Sequence, residues 1–476
     1  MNDIAPETLD FASDNRYSRF HQRGTPVSWW DYHNGRWMVS GYDEVTAAAR
    51  DTETFSSRHD MPNGTSPYAG VMVPPTPIRA VPIEMDPPGY IDYRRMLQSR
   101  FSPTVVRVMR SRVLEFVTWC LDRRIESGQI DLFHDLTKLV PAMVTMQLIG
   151  LPVEHSEIIA DAVHNRSEER FNLNAAWSLL MKLTTEAIAK RKKERADDLI
   201  SYLLDAEVDG HRFADHEIME ICFTMVIGGM ATTARLALGG LSFFAVHPDE
   251  RDRVKDDPDL MASAIEEFLR YYSPVPFLSR TAVTDTCLGG QDIKAGDRVV
   301  LGYAAANRDP KVFERPDDIL IDRSPNRHLA LGHGVHFCLG ANLGRMEATV
   351  MIEQVLARMP DYQLVRDASP VAEADHGSAG KGSASGGSSG ISANGNGGSG
   401  IKDWTIEEAM RAAAAGCPVM HTAVEERATD GGPTTAGAAQ GNLPWEERTQ
   451  RGLQVRFTPG ERSGQQFDFD LPERYR

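Results

Sequence analysis

The chain of 476 residues carries a formal charge of −16, with 41% hydrophobic and 25% charged residues. That balance supports a globular core, and the negative charge argues against a nucleic-acid partner or an anionic membrane surface reached through general electrostatics. Five cysteines, Cys120, Cys222, Cys287, Cys338 and Cys417, lie far apart without a Cys-x-x-Cys pair, which argues against a disulfide framework or a sequence-local zinc site.

The first residues have neither the basic-then-apolar layout of a secretory leader nor a run long enough to cross a bilayer, so the expectation is a cytoplasmic protein with no membrane insertion. Residues 27–30 and 36–39 flank Asn34-Gly35, the pattern of a β-hairpin. A Pro/Gly-rich connection over 59–82 is too long for an ordinary link and predicts a loop that covers a site or moves. Apolar residues at three- and four-residue intervals then predict helices over 103–127, 130–150, 175–195, 215–244 and 262–272. Composition changes after Asp367. Residues 376–400 are Gly/Ser-rich and read as a flexible tether, because they bury too little apolar surface to fold. Order is expected to resume at Asp403, where Thr405 and Glu408 read as a capping box that opens a short alanine-rich helix through about Ala415. Cys417 and His421 offer two metal ligands without a second pair, and read as a helix end and loop. Residues 453–457 alternate as one strand. The expected organisation is a core domain over 1–367, a tether with a short helix over 368–452, and a terminal strand and tail over 453–476 that returns to the core.

The informative run is Leu331-Gly-His-Gly-Val-His-Phe-Cys338-Leu-Gly340, which leads into a helical pattern from Ala341. It resembles the cysteine loop of the cytochrome P450 superfamily, Phe-Gly-x-Gly-x-His/Arg-x-Cys-x-Gly, and departs from it at Leu331, where the family has an aromatic. In outline the similarity spans 15–363. The resemblance implies a mainly α fold with small β-sheets and a haem b whose iron is held by Cys338. A helix N-terminus behind the sulfur favours the ionised ligand, and a thiolate pushes electron density toward the iron, which assists O–O cleavage.

Further segments of the chain carry the same resemblance. Glu267 and Arg270 match the Glu-x-x-Arg pair, whose spacing puts both side chains on one helix face, and Arg323 matches its third member; together they imply a structural lock on the cysteine loop. Arg94, Arg280 and His336 match the cations that bind haem propionates, and Tyr90 stands where a histidine is common. Thr232 matches the oxygen-handling threonine, preceded by Gly228 and Gly229, but the acid that usually precedes the threonine is Ala231. Substrate contacts are implied for the 59–82 loop, Met225, Gly229, Val275, Phe277 and Leu278. The implied activity is insertion of one oxygen atom from dioxygen into a small organic substrate. Electrons would come from NAD(P)H through a ferredoxin reductase and a ferredoxin, since no flavin or iron–sulfur segment is recognisable. Ala231 leaves two alternatives open, peroxide use or an atypical oxidative coupling; a third is a non-enzymatic haem-binding scaffold.

Overall fold

The computed structural model describes residues 17–22, 24–31, 35–60, 69–73, 78–164, 173–365 and 453–463. Helices α1 (Ser18–Gln22), α2 (Tyr42–Arg50) and α3 (Gly89–Gln98) precede a helical middle of α4 (Pro103–Asp122), α5 (Leu139–Ile149), α6 (Ser156–His164), α7 (Leu173–Lys193) and α8 (Leu199–Asp205). The central pair α9 (Asp215–Gly229) and α10 (Ala231–Val246) is followed by α11 (Pro248–Asp256), α12 (Leu260–Tyr272), the one-turn α13 (Tyr303–Ala306) and α14 (Ala341–Arg358). The strands are β1 (Val27–Trp30), β2 (Arg36–Val39), β3 (Phe55–Ser56), β4 (Gln129–Asp131), β5 (Glu207–Val208) and β6 (His211–Arg212). After these come β7 (Leu278–Ala282), β8 (Thr286–Leu288), β9 (Gln291–Ile293), β10 (Arg298–Leu301), β11 (Gln363–Leu364) and β12 (Gln454–Arg456).

The architecture is mainly α with small sheets, as the sequence predicts. A five-stranded sheet runs β1-β2-β10-β7-β3, with β1 and β2 forming the expected hairpin. Its inner strand β7 is paired on both sides, by β10 and β3, and so holds Arg280 rigidly. The core lies where α10 packs on α12 and α14. Gly240 makes that approach possible: a Cβ there would come within 2.8 Å of Phe268 and Ile352. Phe244 and Phe268 meet edge-on with ring centroids 5.4 Å apart.

Several predicted boundaries move, each for a physical reason. The helix predicted over 130–150 divides: Ile130 lies in β4, Leu132–Thr137 winds as a π-helix, and α5 begins only at Leu139. Asp131 causes the division. Its carboxylate accepts from the N–H groups of Phe133 (2.9 Å), His134 (3.0 Å) and Leu453 (3.2 Å), so it caps one element while tying in a distant strand. The helix predicted over 103–127 ends at Asp122, and a 3-10 turn (Ile125–Ser127) runs to Gly128, whose φ of 66° stops it. The helix predicted over 215–244 breaks at Met230. By length and composition Asp215–Val246 could cross a membrane, but here it is broken and largely packed inside the protein. The tether over 376–400, the helix over 403–415 and the Cys417/His421 pair lie outside the described residues.

Strands β11 and β12 pair directly, Gln363 opposite Arg456 and Leu364 opposite Val455, and β12 continues to β4. The sheet therefore fixes both ends of the segment that joins them, and loop-closure entropy varies slowly with length. Deleting residues 380–396 is expected to leave haem content unchanged and to move the thermal midpoint by less than about 2 °C. A larger loss in calorimetry would mean that this segment contributes contacts to the core.

Candidate active site

The cysteine turn is closed by its own backbone. The Cys338 N–H donates to Leu331 O at 2.8 Å and the Phe337 N–H to Gly334 O at 3.1 Å. Gly332 and Gly334 hold φ values of 74° and 71°, and a Cβ at Gly334 would come 2.9 Å from Ala49 O, so both position and conformation call for glycine. The turn delivers Cys338 to the start of α14, where the Gly340 N–H donates to the sulfur. Burial pushes the thiol up; that N–H and the charges of Arg94 and Arg345 oppose it. Cys120 and Cys222 are fully buried thiols pushed far up by desolvation, and such thiols stay neutral.

Helix α3 presents Tyr90 and Arg94, one turn apart, to this loop. The Tyr90 hydroxyl donates to Val335 O at 2.9 Å, its ring centroid lies 4.2 Å from that of His336, and Arg94 donates to Phe337 O at 2.6 Å. Arg280 is buried on β7 and donates to Ser279 O. His336 Nε2 meets Ser57 Oγ at 3.2 Å, while its buried Nδ1 has no hydrogen-bond partner. Desolvation, followed by the charges of Arg280 and Arg94, drives the His336 pKa down to about 3. Among the described residues neither Arg94 nor Arg280 has a carboxylate partner in a salt bridge, and no three His, Cys, Asp or Glu side chains cluster as a free-ion site. Two uncompensated guanidiniums and an orphaned imidazole nitrogen beside one thiol fit a haem, whose carboxylates would take the arginines and whose iron would take the sulfur.

Across from the turn, the central helix opens at Met230, between α9 and α10. Thr232 Oγ1 donates back to Gly228 O at 2.7 Å, a bond of the type that bends helices. A Cβ at Gly229 would come 2.7 Å from Thr145 Oγ1, whereas one at Gly228 would meet nothing within 4 Å. Of the predicted substrate contacts, Met225 and Leu278 are half-buried and pack on core clusters, and Val275 and Phe277 are half-buried in the approach to β7.

The predicted ion network is fully formed. Glu267 and Arg270, both 0% exposed, make two hydrogen bonds of 2.8 Å, and Arg323 Nε reaches the same carboxylate at 3.0 and 3.1 Å. The remaining Arg270 donors go to the carbonyls of Asn307, Pro316 and Asp318.

Comparison with known proteins agrees with this geometry. The family model for cytochrome P450 matches residues 158–359. A steroid C26-monooxygenase of Mycolicibacterium smegmatis is 33% identical over 70% of this chain and 83% of its own length. The chain belongs to the cytochrome P450 family. Another member, the polyketide biosynthesis cytochrome P450 PksS of Bacillus subtilis, is 31% identical over 69% of this chain and 82% of its own. The solved cytochrome P450 CYP268A2 of Mycobacterium marinum, in complex with pseudoionone, superposes with a TM-score of 0.69 at 28% identity, covering 76% of this chain and 92% of that one. The protein is thus a cytochrome P450 monooxygenase by family.

Sequence reasoning missed several polar groups that shape this P450 site. Glu84, almost fully buried, accepts from Val71 N (2.8 Å), Ala80 N (2.8 Å) and His59 Nδ1 (2.9 Å), and so draws together three points of the 59–82 connection. Asp86 accepts from Ser57 N at 2.8 Å, which places the Ser57 hydroxyl against His336. Glu266 binds Arg345 and His328. None of these has a sequence signal beyond being a charged residue, because apart from Ala80, near Glu84 in the chain, their partners come from distant segments. The Glu267 network generates a strong expectation: Glu267→Gln strands two buried guanidiniums and should destabilise the fold by about 3–5 kcal/mol, with loss of haem on purification. Denaturant unfolding within about 1 kcal/mol of the parent would show that the carboxylate's charge is dispensable.

Proposed function

We propose that this P450 oxidises an apolar organic substrate with dioxygen, with Cys338 as the axial ligand of a haem b and electrons relayed from NAD(P)H by a ferredoxin reductase and a ferredoxin in the cytoplasm. The observation that carries the reading is the partly exposed Cys338 in its glycine-hinged turn, supported by the Gly340 N–H and facing the uncompensated Arg94 and Arg280. When bound, haem supplies the redox chemistry by which one atom of dioxygen enters a substrate bond and the other leaves as water. Arg94 and Arg280 would hold its carboxylates, with His336 Nδ1 donating to one of them; Tyr90, whose hydroxyl is committed to Val335 O, would shape the edge by packing on His336. Thr232 gives its own proton to Gly228 O, so its oxygen is free to accept one from water or substrate. The steroid named for the mycobacterial relative and the pseudoionone bound by the solved neighbour support an apolar substrate, and the half-buried Met225, Val275, Phe277 and Leu278 would offer it apolar contacts.

Cys338→Ser is expected to abolish the thiolate-type spectrum of the reduced carbon-monoxide complex, because serine is a harder and far more basic ligand. Cys120, Cys222 and Cys287 variants should keep it. A haem-loaded Cys338→Ser protein with the unchanged spectrum would move the ligand elsewhere.

Ala231 favours a second reading, peroxide use or an atypical coupling on a substrate that brings its own polar group. It opens α10 at the helix break and carries no proton. If no other acid substitutes, Ala231→Asp should lower the NAD(P)H consumed and hydrogen peroxide released per product. Tightly coupled turnover by the parent, unchanged or worsened by the substitution, would point to the substrate as the proton source; turnover with peroxide alone would support the second reading.

A further inference from the structure

Glu266 stands next to Glu267 on α12, and a helix turns about 100° per residue, so the two carboxylates leave in different directions. Glu267 collects Arg270 and Arg323, as described above. Glu266 reaches the opposite side. Its Oε1 accepts from Arg345 Nε at 2.6 Å, and its Oε2 accepts from Arg345 Nη2 at 2.8 Å and meets His328 Nε2 at 3.0 Å. His328 precedes the cysteine turn and Arg345 follows it on α14, so one carboxylate closes the base of the loop that carries Cys338. These contacts hold the Glu266 carboxyl down at about 2 despite desolvation, and it is ionised at any working pH.

Arg345 lies in the second turn of the helix that begins three residues after Cys338, so the Glu266 pair sits close behind the cysteine loop. Its guanidinium is held by direct hydrogen bonds to the Glu266 carboxylate, and a Cys338 bound to iron as thiolate would be a second negative charge near it.

We propose that Glu266 is a positioning residue for the haem-thiolate centre. By pairing with Arg345 it fixes that cation beside the cysteine loop and cancels most of its charge, which sets the reduction potential of the bound iron. The proposal rests on the reading of Cys338 as the iron ligand. Adding an electron to the centre is favoured by nearby positive charge and opposed by nearby negative charge, so removing either member of the pair moves the potential, and the two removals move it in opposite directions. A loop that was merely loosened would give no such opposition.

The site is suited to the experiment. Both side chains are about one third exposed, and a cavity of about 300 Å³ opens beside them between Arg110, Ile265, Met346 and Val350, so an uncharged replacement is not sealed in a dry interior. The measurement is a spectroscopic redox titration of the haem-loaded full chain, with the reduced carbon-monoxide spectrum recorded for each protein. Glu266→Gln should shift the midpoint positive and Arg345→Met should shift it negative, each changing the reduced-to-oxidised ratio at fixed potential by about threefold or more, as expected for removing one nearby charge in a partly screened site. The double variant should return toward the parent, and Glu266→Asp, which keeps the charge, should stay near it. If Glu266→Gln fails to hold haem, the sign given by Arg345→Met decides. Shifts of the same sign, or no shift in proteins that retain the thiolate spectrum, overturn the proposal. A parent protein without the thiolate spectrum would instead overturn the assignment of Cys338.

Discussion

The Glu267 carboxylate is completely buried, and an ionised group in such a place is tolerated only when its surroundings satisfy it. Here they do so with Arg270, Arg323, the Leu320 N–H and the Asn326 amide. Arg270 comes from the same helix as Glu267, and the other three donors come from the stretch 320–326. Arg270 in turn spends its remaining N–H groups on three carbonyls between Asn307 and Asp318. An irregular segment with no ladder of its own is thereby given a fixed path, and that path delivers Leu331 and the cysteine turn to the start of α14.

Once the turn is placed, its chemistry follows from opposed local effects. Desolvation disfavours a thiolate at Cys338, while the Gly340 N–H and the neighbouring arginines favour it. Desolvation, then Arg280 and Arg94, lower the pKa of His336 in the same loop. Positive charge is thus concentrated in Arg94 and Arg280, which stand on unrelated elements, an exposed helix and an inner strand, and converge only in the folded state. Sheet pairing on both sides of β7 fixes one, and the hydrogen bond to Phe337 O fixes the other.

Opposite the turn, the break at Met230 is the second departure from regular structure. A continuous helix would leave Gly228 O within its own ladder; at the break that carbonyl instead receives the Thr232 hydroxyl. Paired glycines permit the opening, and close packing of Gly229 on Thr145 fixes its direction. Ala231 occupies the first position of α10, so no acid immediately precedes Thr232 at the break.

The cysteine loop, the Glu267/Arg270 pair and the glycines before Thr232 were legible in the sequence because each is a local pattern whose spacing alone restricts the chemistry. The hairpin at Asn34-Gly35 and the amphipathic helices were legible for the same reason: short-range periodicity and turn chemistry act within a few residues. What sequence could not decide was anything set by a distant partner. Ile130 lies in a strand because Val455 pairs with it, although its neighbours carry a helical pattern. Burial and the approach of Arg280 and Arg94 lower the His336 pKa only in the folded state, and Glu84 and Glu266 acquire their partners through packing. Periodicity reports which face of an element is apolar; only tertiary structure determines which buried charges meet, because their energies depend on distance and desolvation that no local pattern encodes.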